Sequence, residues 1–337
     1  MLASTLLPPA SYAEAIKRED ADLWQAAMDD EIASILANQT YTLEPLPAGD
    51  KALPCKWVYT IKRDGQGNIQ RYKARLVVKG YLQREGIDYT EVFAPVSKHA
   101  TLRVLLSTVA KDRLVLKQLD VKTAFLYGDL PETIYMKQPP GYEEGEKGIA
   151  CRLHKSLYGL KQAPRVWFQK LKSTLLDMGF NPSDADPSLY IRHDKHGPIY
   201  ILVYVDDILI AGYDDDCVDK TITPLQELYT CRDMEATYFL GMDLIRDYDA
   251  GTLKISQRRL ISELVEKHSL TNCKPKATPL SPSIKLSLDG EPLDRDKYGY
   301  SELVGSLLYI SVCPGDRGRL VKAAVFKSPR CVLTDLS

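Results

Sequence analysis

The sequence predicts an α+β fold, and three observations carry that prediction. Strand-like segments come as neighbouring pairs joined by short polar turns. Segments of helical period fall between those pairs without a regular βαβ alternation. The 337 residues, 45% apolar and 26% charged, have a globular composition and suit two or three subdomains sharing a core. No internal repeat or low-complexity tract competes with this reading.

Taken in order, residues 19–38 place Trp24, Met28, Ile32 and Ile35 at helical spacing behind an acidic first turn. KWVYTIKR and IQRYKARLVVKG flank DGQGN, a loop with two glycines, and read as a hairpin. Residues 101–112 read as a helix and 113–120 as a strand ending in Asp120, with a Pro/Gly/Glu-rich loop at 138–148. In residues 163–180 a proline near the start and a glycine near the end bracket a helix. IYILVYV and ILIAG form a second hairpin around Asp206 and Asp207. Pro224 is expected to kink or end the helix DKTITPLQELY. TYFLGMDLIRD and AGTLKISQ read as a third hairpin, followed by the amphipathic helix RRLISELVEKHS. Beyond residue 272 the Pro/Ser-rich text reads as loop or linker.

Overall charge, −1, identifies no partner, but its distribution does. Residues 62–84 hold seven basic residues and one acid, residues 151–172 hold six basic residues and no acid, and residues 205–219 hold six aspartates and no base. Two basic segments and one acidic focus suit a protein that holds a polyanion while gathering cations at one point. Seven scattered cysteines without a CxxC pair argue against a disulfide framework or a zinc site and for a reducing compartment. His193 and His196 lie in RHDKHG, a solvated turn. The N-terminus lacks a basic n-region and is a poor signal peptide. No window approaches the ~20 apolar residues that span a bilayer, so no membrane role is expected.

The chemistry gathers at YVDD, residues 204–207, which interrupts an apolar run. An unpaired buried carboxylate is costly, so a turn or a cation must account for it. Strand alternation puts Tyr204 and Asp206 on one face, while Asp207 turns away or sits in the bend. That makes Asp206 the better ligand, supported by Asp207. Aspartate favours turns, but the apolar flanks and the lack of a bend glycine weigh toward a cation. Asp120, closing another strand, completes the parts for phosphoryl transfer at two divalent ions ~3.5–4 Å apart. Mg²⁺ suits such a site, being held by one or two carboxylates plus substrate phosphates.

At this point six ordered blocks match a family: residues 56–96, 116–142, 151–171 (CRLHKSLYGLKQAPRVWFQKL), 186–191, YVDDILIAG at 204–212 and YFLGMDL at 238–244. The chain resembles the reverse transcriptase of copia-type LTR retrotransposons, over about residues 13–310. The resemblance implies a right-hand polymerase with fingers, a palm of antiparallel sheet backed by helices, and a partial thumb. Residues 1–55 are then a helical lead-in, 56–247 fingers and palm, 248–280 the partial thumb and 281–337 an irregular, truncated, connection-like tail. It implies an RNA- and DNA-directed DNA polymerase acting on a primed RNA or DNA template with dNTPs and two Mg²⁺ or Mn²⁺ ions. Asp120, Asp206 and Asp207 match the metal ligands. Phe125 matches the aromatic that blocks a ribose 2′-hydroxyl, against the plainer reading of a core phenylalanine. Lys62 and Arg75 resemble fingers residues that close on the triphosphate, and Tyr158 and Gly159 pack against the nucleotide. Lys161 and Arg165 are placed to contact the template backbone. Phe239, Leu240, Gly241 and Met242 resemble the hairpin that grips the primer end, although such a quartet otherwise reads as core strand. The implied location is intracellular, cytoplasmic in a virus-like particle or nuclear.

The resemblance also has gaps. Thr123 stands where retroviral relatives often carry another acid. The text after residue 310 departs from the family pattern, and no RNase H acid cluster, integrase zinc segment or protease motif is expected in this chain. These features suggest a polyprotein fragment or a decayed copy with a frame-shifted tail. The alternative to a working polymerase is therefore an inactive remnant that binds nucleic acid. A cyclase on a similar palm would need neither the first hairpin nor the FLGM block.

Overall fold

The computed structural model describes residues 7–63, 68–273 and 299–311. The DGQGN loop and most of the expected tail lie largely outside them. Two compact units divide the chain. The first takes Met1–Ser97, Leu119–Ile210 and Asp216–Asp233, and the second Lys98–Gln118, Ala211–Asp215 and Met234–Ser337.

The first unit opens with α1 (Tyr12–Ala15), α2 (Ala21–Ala37) and β1 (Tyr41–Pro45). The spacing read from the sequence sets the buried face of α2, where Trp24, Met28, Ile32 and Ile35 all point into the core. That core continues under the ribbon β2 (Cys55–Arg63) and β3 (Ile69–Val78). The Trp24 ring meets Tyr59 and Tyr72 edge-on at centroid distances of 5.1 and 4.6 Å. Register pairs Trp57 with Leu76, Tyr59 with Ala74 and Ile61 with Tyr72 on the core face. The opposite face carries Lys62 beside Arg71, then Lys73 and Arg75, because side chains alternate along a strand.

Next come α3 (His99–Lys111), β4 (Val115–Val121), β5 (Asp129–Met136) and β6 (Ile149–Lys155). They are followed by α4 (Ala163–Asp177), with proline at its start as expected. The strands β7 (Asn181–Pro182), β8 (Leu189–Asp194), β9 (Gly197–Tyr204) and β10 (Asp207–Gly212) lead to α5 (Asp215–Leu228) and β11 (Cys231–Glu235). A six-stranded sheet has the order β11-β4-β10-β9-β8-β7, and an antiparallel sheet has the order β1-β6-β5. The chain ends, among the described residues, with β12 (Tyr238–Phe239), β13 (Met242–Asp247), β14 (Thr252–Ser256), α6 (Arg258–Lys267) and α7 (Tyr300–Ser311). This is the expected α+β class with antiparallel sheets.

Two elements were not expected, and two expectations gain detail. Pro224, expected to kink or end its helix, lies inside α5, which runs four residues beyond it. The lead-in expected to be helical also contributes β1, which pairs with β6. The expected boundary at 247/248 falls at the turn of the β13–β14 hairpin, where Asp247 pairs with Thr252. Within the tail expected to be irregular, residues 300–311 form α7, whose Leu307 and Ile310 pack with Leu260, Ile261 and Leu264 of α6. His193 and His196 do lie at a turn, where Asp194 accepts from the amides of His196 and Gly197. The described cysteines are free thiols, and no described helix is long and apolar enough to cross a membrane.

Candidate nucleotidyl-transfer site

β9 and β10 are joined by a two-residue bend, Val205–Asp206. Asp206, not Asp207, therefore occupies the bend, and Asp207 opens β10. No glycine is present to take the left-handed position, so Val205 takes it, at φ 57°. A β-branched residue is strained there. Two hydrogen bonds hold the bend. The Trp167 indole of α4 donates to the Val205 carbonyl at 2.7 Å, and the Val121 amide of β4 donates to the Asp206 carbonyl at 2.9 Å. The second bond brings Asp206 beside Asp120, the residue before Val121. Phe93, Pro164, Trp167, Val203 and Val205 line an apolar cavity of about 290 Å³ beside the bend.

The electrostatics report the same juxtaposition. Burial pushes the Asp206 carboxyl above its usual range; its own backbone hydrogen bond opposes this, the Asp120 charge adds to it, and Arg75 and Lys73 pull it back. Burial pushes the Lys73 ammonium down, Arg75 and Arg71 add to that, and Glu31 and Asp120 oppose it. Two acids thus face two bases of the ribbon. Behind them the Arg75 guanidinium lies 5.0 Å from the Tyr158 ring centroid, and Phe125 meets that ring edge-on at 4.8 Å. Burial pushes the Tyr158 hydroxyl up to about 12, so it stays a neutral donor. Phe125 is half-buried, on the single-turn helix Ala124–Tyr127 that follows Thr123 at φ 50°.

The remaining expected residues fall elsewhere. Lys62 is exposed further along the ribbon, opposite Arg71. Gly159 packs on backbone: at φ 93°, a Cβ there would lie 2.1 Å from the Val78 carbonyl oxygen. Lys161 donates from Nζ to the Tyr89 hydroxyl at 2.9 Å. Arg165 pairs with Glu91 and donates to the Phe93 carbonyl at 3.2 Å. In the second unit Phe239 and Met242 are core side chains, which leaves Leu240 and Gly241 as the presented turn. Three contributors were missed. Lys73 was one of seven bases in its segment, and only its i,i+2 relation to Arg75 marks its face. Trp167 read as an ordinary helical apolar residue. Glu31, buried on α2 and accepting from the Leu76 amide at 3.3 Å, carried no signal in the sequence.

Among the described residues no three His, Cys, Asp or Glu side chains gather around one point. Asp120 and Asp206 are a pair, and two carboxylates plus substrate oxygens suit Mg²⁺. Asp206 is raised chiefly by burial and further by the Asp120 charge, and a cation would relieve both.

Asp206 at a hairpin tip and Asp120 on the neighbouring strand β4 thus face the basic side of the β2–β3 ribbon within an α+β frame. Residues 38–282 match the family described as reverse transcriptase (RNA-dependent DNA polymerase), and the chain belongs to that family. It is 42% identical over 314 residues to the retrovirus-related Pol polyprotein from transposon TNT 1-94 of Nicotiana tabacum, covering 90% of this chain and 24% of that protein. With the corresponding polyprotein from transposon RE1 of Arabidopsis thaliana it is 40% identical over 313 residues, 92% of this chain and 21% of that one. A putative transposon Ty5-1 protein of Saccharomyces cerevisiae is 35% identical over 193 residues, 57% of this chain and 62% of that protein. The chain thus matches the reverse transcriptase region of copia-type Pol polyproteins and spans under a quarter of the two plant proteins' length.

Proposed function

We propose that this chain carries the polymerising centre of a copia-type element, an RNA- and DNA-directed DNA polymerase. The observation that supports it most is the Asp120–Asp206 pair, one acid on β4 and the other on a strained bend, facing Lys73 and Arg75. In this reading β2 and β3 belong to the fingers, the six-stranded sheet is the palm, and residues 248–280 begin a thumb. The primer 3′-oxygen attacks the α-phosphorus of a dNTP, the bond to the β-phosphate oxygen breaks, and pyrophosphate leaves. Arg75 and Lys73 hold the triphosphate, where a guanidinium forks onto phosphate oxygens. Phe125, braced by Tyr158, walls the sugar on its 2′ side. Asp120 and Asp206, with Asp207 nearby, would hold two Mg²⁺ or Mn²⁺ ions, which when bound would activate the hydroxyl and neutralise the departing charge. Lys62, Lys161 and Arg165 line the approach of the nucleic acid.

The test is primer extension on oligo(dT)-primed poly(rA) with Mg²⁺ or Mn²⁺, beside Asp206→Asn. We expect metal-dependent synthesis that falls more than about a hundredfold in the variant, since even outer-shell partners of a metal cost 10–100-fold. A folded wild-type chain that binds primer–template without extending it would identify an inactive nucleic-acid-binding remnant instead.

A further inference from the structure

Within the second unit, β12 and β13 pair at Phe239 and Met242, so Leu240 and Gly241 form a two-residue hairpin loop. Both have positive φ, 48° and 73°. That backbone favours Asn-Gly, and leucine at its first position is strained. Strain of this kind persists only where the surroundings over-determine the conformation. Here they do. Phe239 and Met242 anchor the two strand ends in the core. From α7, 69 residues further on, the Tyr309 hydroxyl donates to the Leu240 carbonyl. The same ring covers Gly241, where a Cβ would lie 3.4 Å from both Cε1 and Oη of Tyr309. His99, the first residue of α3, meets the ring edge-on at 5.9 Å and 62°. Tyr309 of α7 thus caps a loop that bears no charged side chain, and His99 of α3 backs the capping ring.

We propose that Tyr309 is a positioning residue for the nucleic-acid end: it locks the Leu240–Gly241 loop in the shape that meets the sugar–phosphate of a recessed primer 3′ terminus. This rests on the polymerase reading above. Backbone N–H groups of a tight loop can meet a sugar–phosphate without reading base identity, which is what a moving primer end requires. The lock also gives α7 a role in primer handling, although that segment reads from sequence as irregular tail.

Tyr309→Phe removes the hydroxyl and keeps the ring, and Tyr309→Ala removes both. In the full chain two quantities are measured: hydrogen exchange over residues 238–243, and affinity by fluorescence anisotropy for a recessed-3′-end primer–template against a blunt duplex of equal length. We expect Tyr309→Phe to speed exchange at the loop and to weaken recessed-end binding about three- to tenfold, the scale of one lost hydrogen bond. Blunt-duplex affinity should stay unchanged, and Tyr309→Ala should lose more. Equal losses for both duplexes, or wild-type exchange and affinity in both variants, would overturn the proposal. A wild-type chain with no preference for the recessed end would instead remove the polymerase reading, and this proposal with it.

Discussion

Val205 carries the strain of the acidic bend. A β-branched residue in the left-handed region costs of order 1–3 kcal/mol, and the bonds from Trp167 and Val121 offset it at roughly 1 kcal/mol each. Glu31 is the buried charge behind the basic pair. Burial raises its pKa against the pull of the Leu76 amide, Arg75 and Lys73. With a folded-state pKa raised above the unfolded one, its ionised form is the costly form. Its stability contribution is therefore full below the ordinary carboxylate range and is lost as pH rises through the raised value. Glu31→Gln keeps an acceptor for the Leu76 amide and drops the charge. The variant should melt closest to wild type near pH 5 and gain on it toward pH 7.5, read by thermal denaturation. A variant less stable at the higher pH would mean that the charge is needed to pair with Lys73 and Arg75. Sequence alone picked out Asp120 and Asp206 because acids at the edge of apolar strands are conspicuous. It passed over Glu31 because a glutamate in a helix rich in acids looks solvated.

At the scale of elements, the segment 157–163 is fastened to the end of β3 and the loop after it. Cβ atoms added to Gly80 and Gly159 would lie 1.9 and 2.1 Å from the facing carbonyl oxygens of Gly159 and Val78. The Gln83 amide donates to Gln162 at 2.9 Å, and Gln162 donates to the Asp88 carbonyl at 2.9 Å. This clamp holds Tyr158 against Arg75. Gly159→Ala meets both a positive φ and a backbone clash, so we expect a loss of about 2 kcal/mol or more, roughly 4–8 °C in melting temperature. Calorimetry checks it, and a melt within a degree of wild type would show that the clamp is loose. Helix periods and hairpin turns were readable from local pattern. α5 continues past Pro224 because packing of its apolar face outweighs one lost backbone bond.

At the scale of the molecule, net charge −1 conceals a basic ribbon and an acidic bend. Affinity for primer–template should fall linearly in log[salt] with a slope of roughly −2 to −4, the release of counterions from a few phosphates. Fluorescence titrations over a salt series measure it, and a flat response would exclude the ribbon as a phosphate surface. By itself the sequence determined the α+β class, the order of the strand pairs and the family, and singled out Asp120 and Asp206 as candidates, because each is written in local periodicity or in short ordered blocks. The tertiary structure alone decided which acid occupies the bend, that Lys73 and Arg75 face Asp206, that Gly159 serves packing, and that Tyr309 covers the Leu240–Gly241 loop. Those contacts join residues tens of positions apart, and their energies come from burial and register, which no local stretch encodes.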